Sequence, residues 1–418
     1  MSSNKIDIYV YAHWAGMEQP KLIGLLSAHQ GKGRKSFSFS YDKKWINDER
    51  SFILDPDIQL YRGPQYPNNK ENFGIFLDSI PDTWGRRLLK RRALILAKES
   101  NTIVKNMYDI DFLLGVFDGS RMGALRFKLD PKDDFLDNNA NLSTPPWTSV
   151  GQLQYAADLI ESDKATDEIK NWINQLIAPG SSLGGARPKA NILDDKKNLW
   201  IAKFPSKNDT FDKASWEYLT YQLALDAGIY MSESKIQKVG GIYNTFFTKR
   251  FDRINGERIH FASAMTMTGN NEEILRNSTA SYLDLVEVIQ NHGVDVKKDL
   301  AQLWRRIIFN IAVSNTDDHL RNHGFLLGEK GWKLSPAYDI NPSVNINGLS
   351  LNIDLENNDL DIELAKNVGL YFRLNKIEMN TIIKEVVDSV NNWPKIAKKI
   401  GISRNDQELM QAAFRKIN

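Results

Sequence analysis

The chain has 418 residues, 42% hydrophobic and 25% charged, which is too long for one ordinary core and predicts two or more globular domains. It contains no cysteine, which excludes disulfide staples, thiolate nucleophiles and thiolate metal sites and fits a reducing compartment. With 54 basic against 52 acidic side chains the charge is nearly balanced, so wholesale electrostatic binding to nucleic acid is not indicated.

In chain order, Met1–Asp7 is polar and lacks the apolar core of a signal peptide. Ile6–Tyr11, Leu22–Ser27 and Ser36–Tyr41 are β-branched or aromatic runs between Gly, Pro and Lys turns, and read as strands. Phe73–Leu96 reads as helix, with Pro81 near a helix start and Trp84, Leu88 and Leu89 at helical spacing. Its Arg86, Arg87, Lys90, Arg91 and Arg92 form a solvated basic face in preference to a nucleic-acid contact. Asp130–Pro146 is rich in Asp, Asn and Pro and predicts a linker or surface loop over residues 131–150.

After Gln152 a helical stretch runs to Pro179-Gly180. Lys189–Leu193 and Leu199–Phe204 then read as a hairpin turned at Asp194–Asn198. Asp212–Ala227 places Trp216, Leu219 and Leu223 on one helical face and is closed by Gly228. Lys235–Val239 and Thr245–Phe251 are strands around Gly240-Gly241. From Ser281 the pattern is mainly helical, broken by one hairpin, Phe325–Leu327 with Trp332–Leu334. No run is long and apolar enough to span a bilayer, and a cytoplasmic protein without membrane contact is expected. The layout is α+β: residues 1–130, a loop at 131–150, a strand-rich part at 151–255 and a helical part at 256–418.

Several segments carry chemistry. Gly184-Gly185-Ala186-Arg187-Pro188-Lys189 precedes a strand, and its small residues let backbone N–H groups approach phosphate oxygens. Lys203 ends an apolar strand, where an ammonium is costly to bury without an anion to receive it. Glu217, in the following helix, can hold that lysine or face solvent. Ser314–Asn322 follows the apolar helix Leu303–Val313 and gathers Asp317, Asp318, His319 and Asn322; Tyr338-Asp339 comes after the next hairpin. Asn322 and Asp339 are hard oxygen donors suited to magnesium, and Asp317 can take a hydroxyl proton. A catalytic Asp, then Asn, hairpin and metal Asp is the order found in protein kinases. A divalent-metal hydrolase built on Asp317-Asp318-His319 would have to draw histidine ligands from elsewhere in the chain, which has only six histidines.

These residues resemble the HipA family of serine/threonine kinases, the toxins of HipA–HipB modules. The resemblance is carried by Gly184–Ala190, Ile201–Phe204, Thr248–Arg253, Asn315–Asn322 with Gly324-Phe325, and Pro336–Asp339. Phe37–Asp42, Ile80–Arg86 and Gly123–Phe127 extend it to the front of the chain. It implies a two-lobed protein-kinase-like α+β fold with a family-specific N-terminal subdomain and a mainly helical C-terminal lobe. It implies ATP and Mg2+ as cofactors, Asp317 as base, and Asn322 and Asp339 as metal ligands. ATP would meet Gly184 to Lys189, Lys203, the hinge Lys249-Arg250-Phe251, His319, Leu320, Arg321, Asn322, Tyr338 and Asp339. Ser182, or its neighbour Ser181, falls where the family carries an autophosphorylated serine that ejects the phosphate loop. The implied partners are a protein substrate (aminoacyl-tRNA synthetases among the family's) and a HipB-like helix-turn-helix antitoxin through which DNA is reached. Rival readings are a kinase acting on a small molecule and a non-catalytic kinase-like scaffold working with a DNA-binding antitoxin.

Overall fold

The computed structural model describes residues 4–31, 34–49, 51–104, 106–162, 172, 173, 176, 185–276, 278–345 and 347–416. The chain divides into two compact units, residues 1–207 with 250–271, and residues 208–249 with 272–418.

The first unit opens with an antiparallel sheet of strands β1 (Asn4–Ala12), β2 (Lys21–Gly31), β3 (Arg34–Tyr41) and β4 (Leu125–Lys128), in the order β3-β2-β1-β4. Alternation of buried Ile8, Val10 and Ala12 with half-buried neighbours puts one face of β1 on the core. The first three strands fall where the sequence placed them, each extended by ladder pairing beyond its apolar run. The helical stretch expected over Phe73–Leu96 is two helices, Gly74–Leu77 and Thr83–Glu99. Pro81 breaks the pattern, and Asp82 caps the second helix by accepting the Gly85 N–H at 2.9 Å.

The segment expected as a linker or surface loop, residues 131–150, is part of this unit. Leu136 bridges Phe127, Arg121 donates to the Leu136 carbonyl at 2.9 Å, and the Pro145 carbonyl accepts from the Leu193 N–H at 2.9 Å. Polar composition reports its exposure and is silent on these backbone contacts. The stretch 250–271 also belongs here. The buried Arg250 guanidinium binds Asp252 at 2.6 and 2.8 Å and the Ser120 carbonyl at 2.6 Å. The antiparallel hairpin β5 (Lys189–Leu193) and β6 (Leu199–Lys203) completes the unit. The helix expected after Gln152 runs from Val150 to Glu161; its further extent to Pro179-Gly180 falls outside the described residues.

The second unit contains the Lys213–Asp226 helix, the hairpin β7 (Ser234–Gln237) and β8 (Thr245–Lys249), and then the helical region. Its centre is the Val296–Ala312 helix, whose Leu300, Leu303, Trp304, Ile307, Ile308 and Ile311 are buried and which packs on the Lys376–Val390 helix. Burying such a stripe, at roughly 1.5–3 kcal/mol per large side chain, is what holds a helix of this length in place. Two polar residues of the same helix, Arg306 and Asn310, are also buried; Asn310 bonds the loop that follows and Arg306 the Ser335 carbonyl beyond the next hairpin.

Candidate active site

In the second unit the Val296–Ala312 helix ends at a turn in which buried Ser314 takes a left-handed conformation, φ 50°. That reversal, unfavourable for a side chain by roughly 1–2 kcal/mol, throws Asn315–Asn322 back across the helix end. The loop is pinned from beneath. Asn315 donates from its N–H to the Asn310 carbonyl at 2.9 Å and from Nδ2 to Asn310 Oδ1 at 3.0 Å. Asn310 Nδ2 in turn donates to Asp318 at 2.7 Å, His323 Nε2 lies 2.9 Å from the same carboxyl oxygen, and the Tyr282 hydroxyl donates to it as well. Asp318 is thus a buried anchor. Burial opposes its ionisation, but the adjacent His323 and the bonds from His323 and Tyr282 hold its carboxyl below the ordinary range.

Asp317, one residue earlier, points the other way and is exposed. Partial desolvation raises its carboxyl pKa; His319 counteracts this, and the negative charges of Asp339 and Asp318 add to it. A raised carboxyl beside a second carboxylate suits a proton acceptor better than an ordinary surface aspartate does.

Asn322 lies across the loop and donates from Nδ2 to the Asp317 carbonyl at 2.9 Å. A carbonyl can only accept, so the amide nitrogen must face Asp317 and Oδ1 becomes the acceptor on the opposite edge. Asp339 enters from the segment after the Gly331–Leu334 strand with φ 58°, a conformation few side chains adopt and one that re-aims its carboxylate. Its flanks are tied down. Tyr338 Oη donates to the Arg321 carbonyl at 2.8 Å, Thr220 Oγ1 to the Ile340 carbonyl at 2.7 Å, and the Ala337 N–H to the Tyr230 carbonyl at 2.8 Å. Arg306 donates to the Ser335 carbonyl at 2.5 Å, and burial lowers its pKa to about 10. Asn322 Oδ1 and the Asp339 carboxylate are the hard donors a small divalent cation requires. Among the described residues no cluster of three His, Cys, Asp or Glu forms an alternative metal site.

In the first unit Ser181, Ser182 and Gly184 lie outside the described residues. Gly185 and Ala186 are exposed, and a Cβ built on Gly185 would meet nothing within 4 Å. Arg187 donates to the Phe204 carbonyl at 3.2 Å, and the buried Pro188 accepts the Phe204 N–H at 2.9 Å. Lys189 stands in an unexpected place. Its ammonium is buried on Asp82 at 2.5 Å and on the Gly185 carbonyl at 2.9 Å, so its charge is matched by a carboxylate. Lys203 lies opposite Lys189 in the β5–β6 register, half-buried at the strand end. In the segment Lys249-Arg250-Phe251, two N–H groups are committed: Lys249 to the Glu233 carbonyl at 2.8 Å, and Arg250 to the Leu199 carbonyl at 2.9 Å. Phe251 is half-buried and packs against Phe261. In the second unit His319 is half-buried, Leu320 is buried, and Arg321 pairs at the surface with Glu272 at 3.0 Å.

Asp82, Tyr282, Asn310 and His323 were not singled out from the sequence. A buried asparagine inside an apolar helix and a histidine directly after Asn322 were the available signals for two of them; Asp82 and Tyr282 are too remote in sequence to give one.

The sequence model of the HipA-like C-terminal domain matches residues 181–393, just over half of the chain. The chain belongs to the HipA-like family. A HipA from Shewanella oneidensis MR-1, solved with HipB and its operator DNA, is similar at 18% identity, with TM-score 0.65 over 97% of this chain and 94% of that one. That likeness spans both units and gives this HipA-like chain the two-lobed, kinase-like α+β fold. The Helicobacter pylori proinflammatory kinase CtkA aligns more loosely, at 17% identity and TM-score 0.41 over 55% of this chain and 87% of that one. No curated protein matches the sequence. No helix among the described residues is long and apolar enough to cross a membrane.

Proposed function

We propose that this chain is a cytoplasmic serine/threonine protein kinase of the HipA toxin type, using ATP and a divalent cation. The observation that carries the reading is the placement of Asp317, Asn322 and Asp339 in one loop system, with Asn322 fixed by its bond to the Asp317 carbonyl. Asp317 takes the proton of the acceptor hydroxyl. The hydroxyl oxygen bonds the γ-phosphorus as the bond from that phosphorus to the β–γ bridging oxygen breaks, releasing ADP. Asn322 Oδ1 and the Asp339 carboxylate would hold Mg2+, which when bound neutralises phosphate charge. Lys203 supplies a further positive charge to the phosphates, and Gly185 to Pro188 supplies backbone around them. Adenine sits at the Lys249–Phe251 hinge, and His319 to Asn322 with Tyr338 lines the nucleotide. Ser182, or Ser181, is the site of autophosphorylation. A HipB-like antitoxin is the expected partner, and it brings the complex to DNA.

The test is γ-phosphate transfer to the chain itself and to acceptor proteins. Asp317→Asn should lower transfer about 10²–10⁴-fold while keeping ATP affinity, since a base does not hold nucleotide. Asp339→Asn should lose transfer together with magnesium-dependent ATP binding. Near-normal turnover by Asp317→Asn would remove the base from this scheme.

A further inference from the structure

The second unit carries an open groove of about 550 Å³. Its floor is apolar, built from Leu283 and Val286 of the Tyr282–His292 helix with Val368 and Tyr371 opposite. Leu355 stands on its edge, 75% exposed, and Tyr371 is 59% exposed. Surface apolar groups held this open within one concave site are a mark of recognition.

The rim has one sign. Glu287, Asp354 and Glu356 line the groove, and no lysine or arginine does so among the described residues, although the whole chain carries a net charge of +2. We propose that this groove docks a basic, amphipathic segment of a partner protein. Apolar side chains would fill the floor, and flanking lysines or arginines would meet the three carboxylates. A second copy of the chain fits poorly, since a two-fold contact centred here sets carboxylate against carboxylate.

The groove is also wired to the catalytic loop. Tyr282, which begins the helix forming one wall, donates to Asp318. Ser350 Oγ donates to the Thr316 carbonyl at 2.8 Å, and Ser281 Oγ donates to the Asp354 carbonyl at 2.5 Å. A segment held in the groove is therefore anchored to the elements that set Asp318 and Thr316. The inference stands on the groove itself and does not require phosphoryl transfer.

The experiment uses the full chain and two fluorescein-labelled synthetic amphipathic peptides, one of leucine and lysine and one of leucine and glutamate. Fluorescence anisotropy should show the lysine peptide binding, weakening with added salt, and the glutamate peptide failing to bind. Glu287→Lys with Glu356→Lys should weaken the lysine peptide roughly tenfold, two exposed attractions having become repulsions. Leu355→Ser should weaken it at unchanged charge. All three positions are exposed, so thermal melts should match the parent. Absence of lysine-peptide binding, equal binding of the glutamate peptide, or indifference to these changes would overturn the proposal. So would sedimentation showing a dimer of the parent chain that Leu355→Ser dissolves.

Discussion

The ammonium of Lys189 lies 2.5 Å from the Asp82 carboxylate, both side chains buried, and joins the Lys189–Leu193 strand to the N-cap of the Thr83–Glu99 helix. The Trp84 indole reinforces the joint by donating to the Lys189 carbonyl at 3.1 Å. The pair explains a motif at each end: an Asp-Thr-Trp that starts a helix and a lysine at the base of a glycine loop. It also means that Lys189 serves the fold.

Breaking that pair should be costly. Asp82→Asn leaves a buried ammonium without its counter-charge and should destabilise the protein by about 3–5 kcal/mol in urea unfolding. Asp82→Asn with Lys189→Met should recover much of the loss, because the uncompensated charge is gone. A double mutant as unstable as the sum of the singles would show that the two side chains do not act as a pair.

The Asp318 anchor yields a graded series. Tyr282→Phe removes one donor to a charged acceptor and should cost about 1.5–3 kcal/mol of stability. Asp318→Ala strands the Tyr282, Asn310 and His323 donors together and should cost more. Both should slow phosphoryl transfer, because the loop bearing Asp317 rests on Asp318. Asp318→Ala with parental stability and turnover would contradict the anchoring role.

Autophosphorylation is tested at Ser182. A phosphate there adds nearly two negative charges at the mouth of a loop proposed to surround the ATP phosphates. Incubation with ATP and magnesium should place phosphate on Ser182 or Ser181 by tandem mass spectrometry, and the phosphorylated form should bind ATP more weakly. Asp317→Asn protein should stay unmodified. An active enzyme that leaves both serines bare is the opposing result.

His260 gives a pH dependence. It is buried against Trp14, ring centroids 5.6 Å apart, and burial lowers its pKa from 6.5 to about 3. Between those values the unfolded chain binds a proton that the folded chain does not. Its contribution to stability is therefore complete above pH 6.5 and is lost as the pH falls toward 3. His260→Phe keeps the ring stacking and removes the titration. The parent's urea midpoint should fall relative to the variant's as the pH is lowered from 7 to 4; a constant offset would show that His260 does not titrate in this way.

The residues proposed for the chemistry could be named from the order of residues because they are local. Asp317 and Asn322 share one loop and Asp339 follows one hairpin, so their order could be read along the chain, while remote partners such as Tyr282, Thr220 and Tyr230 hold the two segments in place. The first three strands and the helix read at Leu303–Val313, which the structure extends back to Val296, were legible for the same reason, since periods of 2 and 3.6 are properties of neighbouring residues. What neighbours could not report was which charged groups would be buried together. Asp82 and Lys189 are 107 residues apart, as are Arg250 and Ser120 by 130, and only the fold sets each beside the other. Composition marked residues 131–150 as a loop, but long-range backbone bonds fasten it inside the first unit. The sequence by itself determined which atoms are available for chemistry. The tertiary structure alone decided which of those charges are used up in holding the molecule together, because neutralising a buried ion requires a partner brought from elsewhere in the chain.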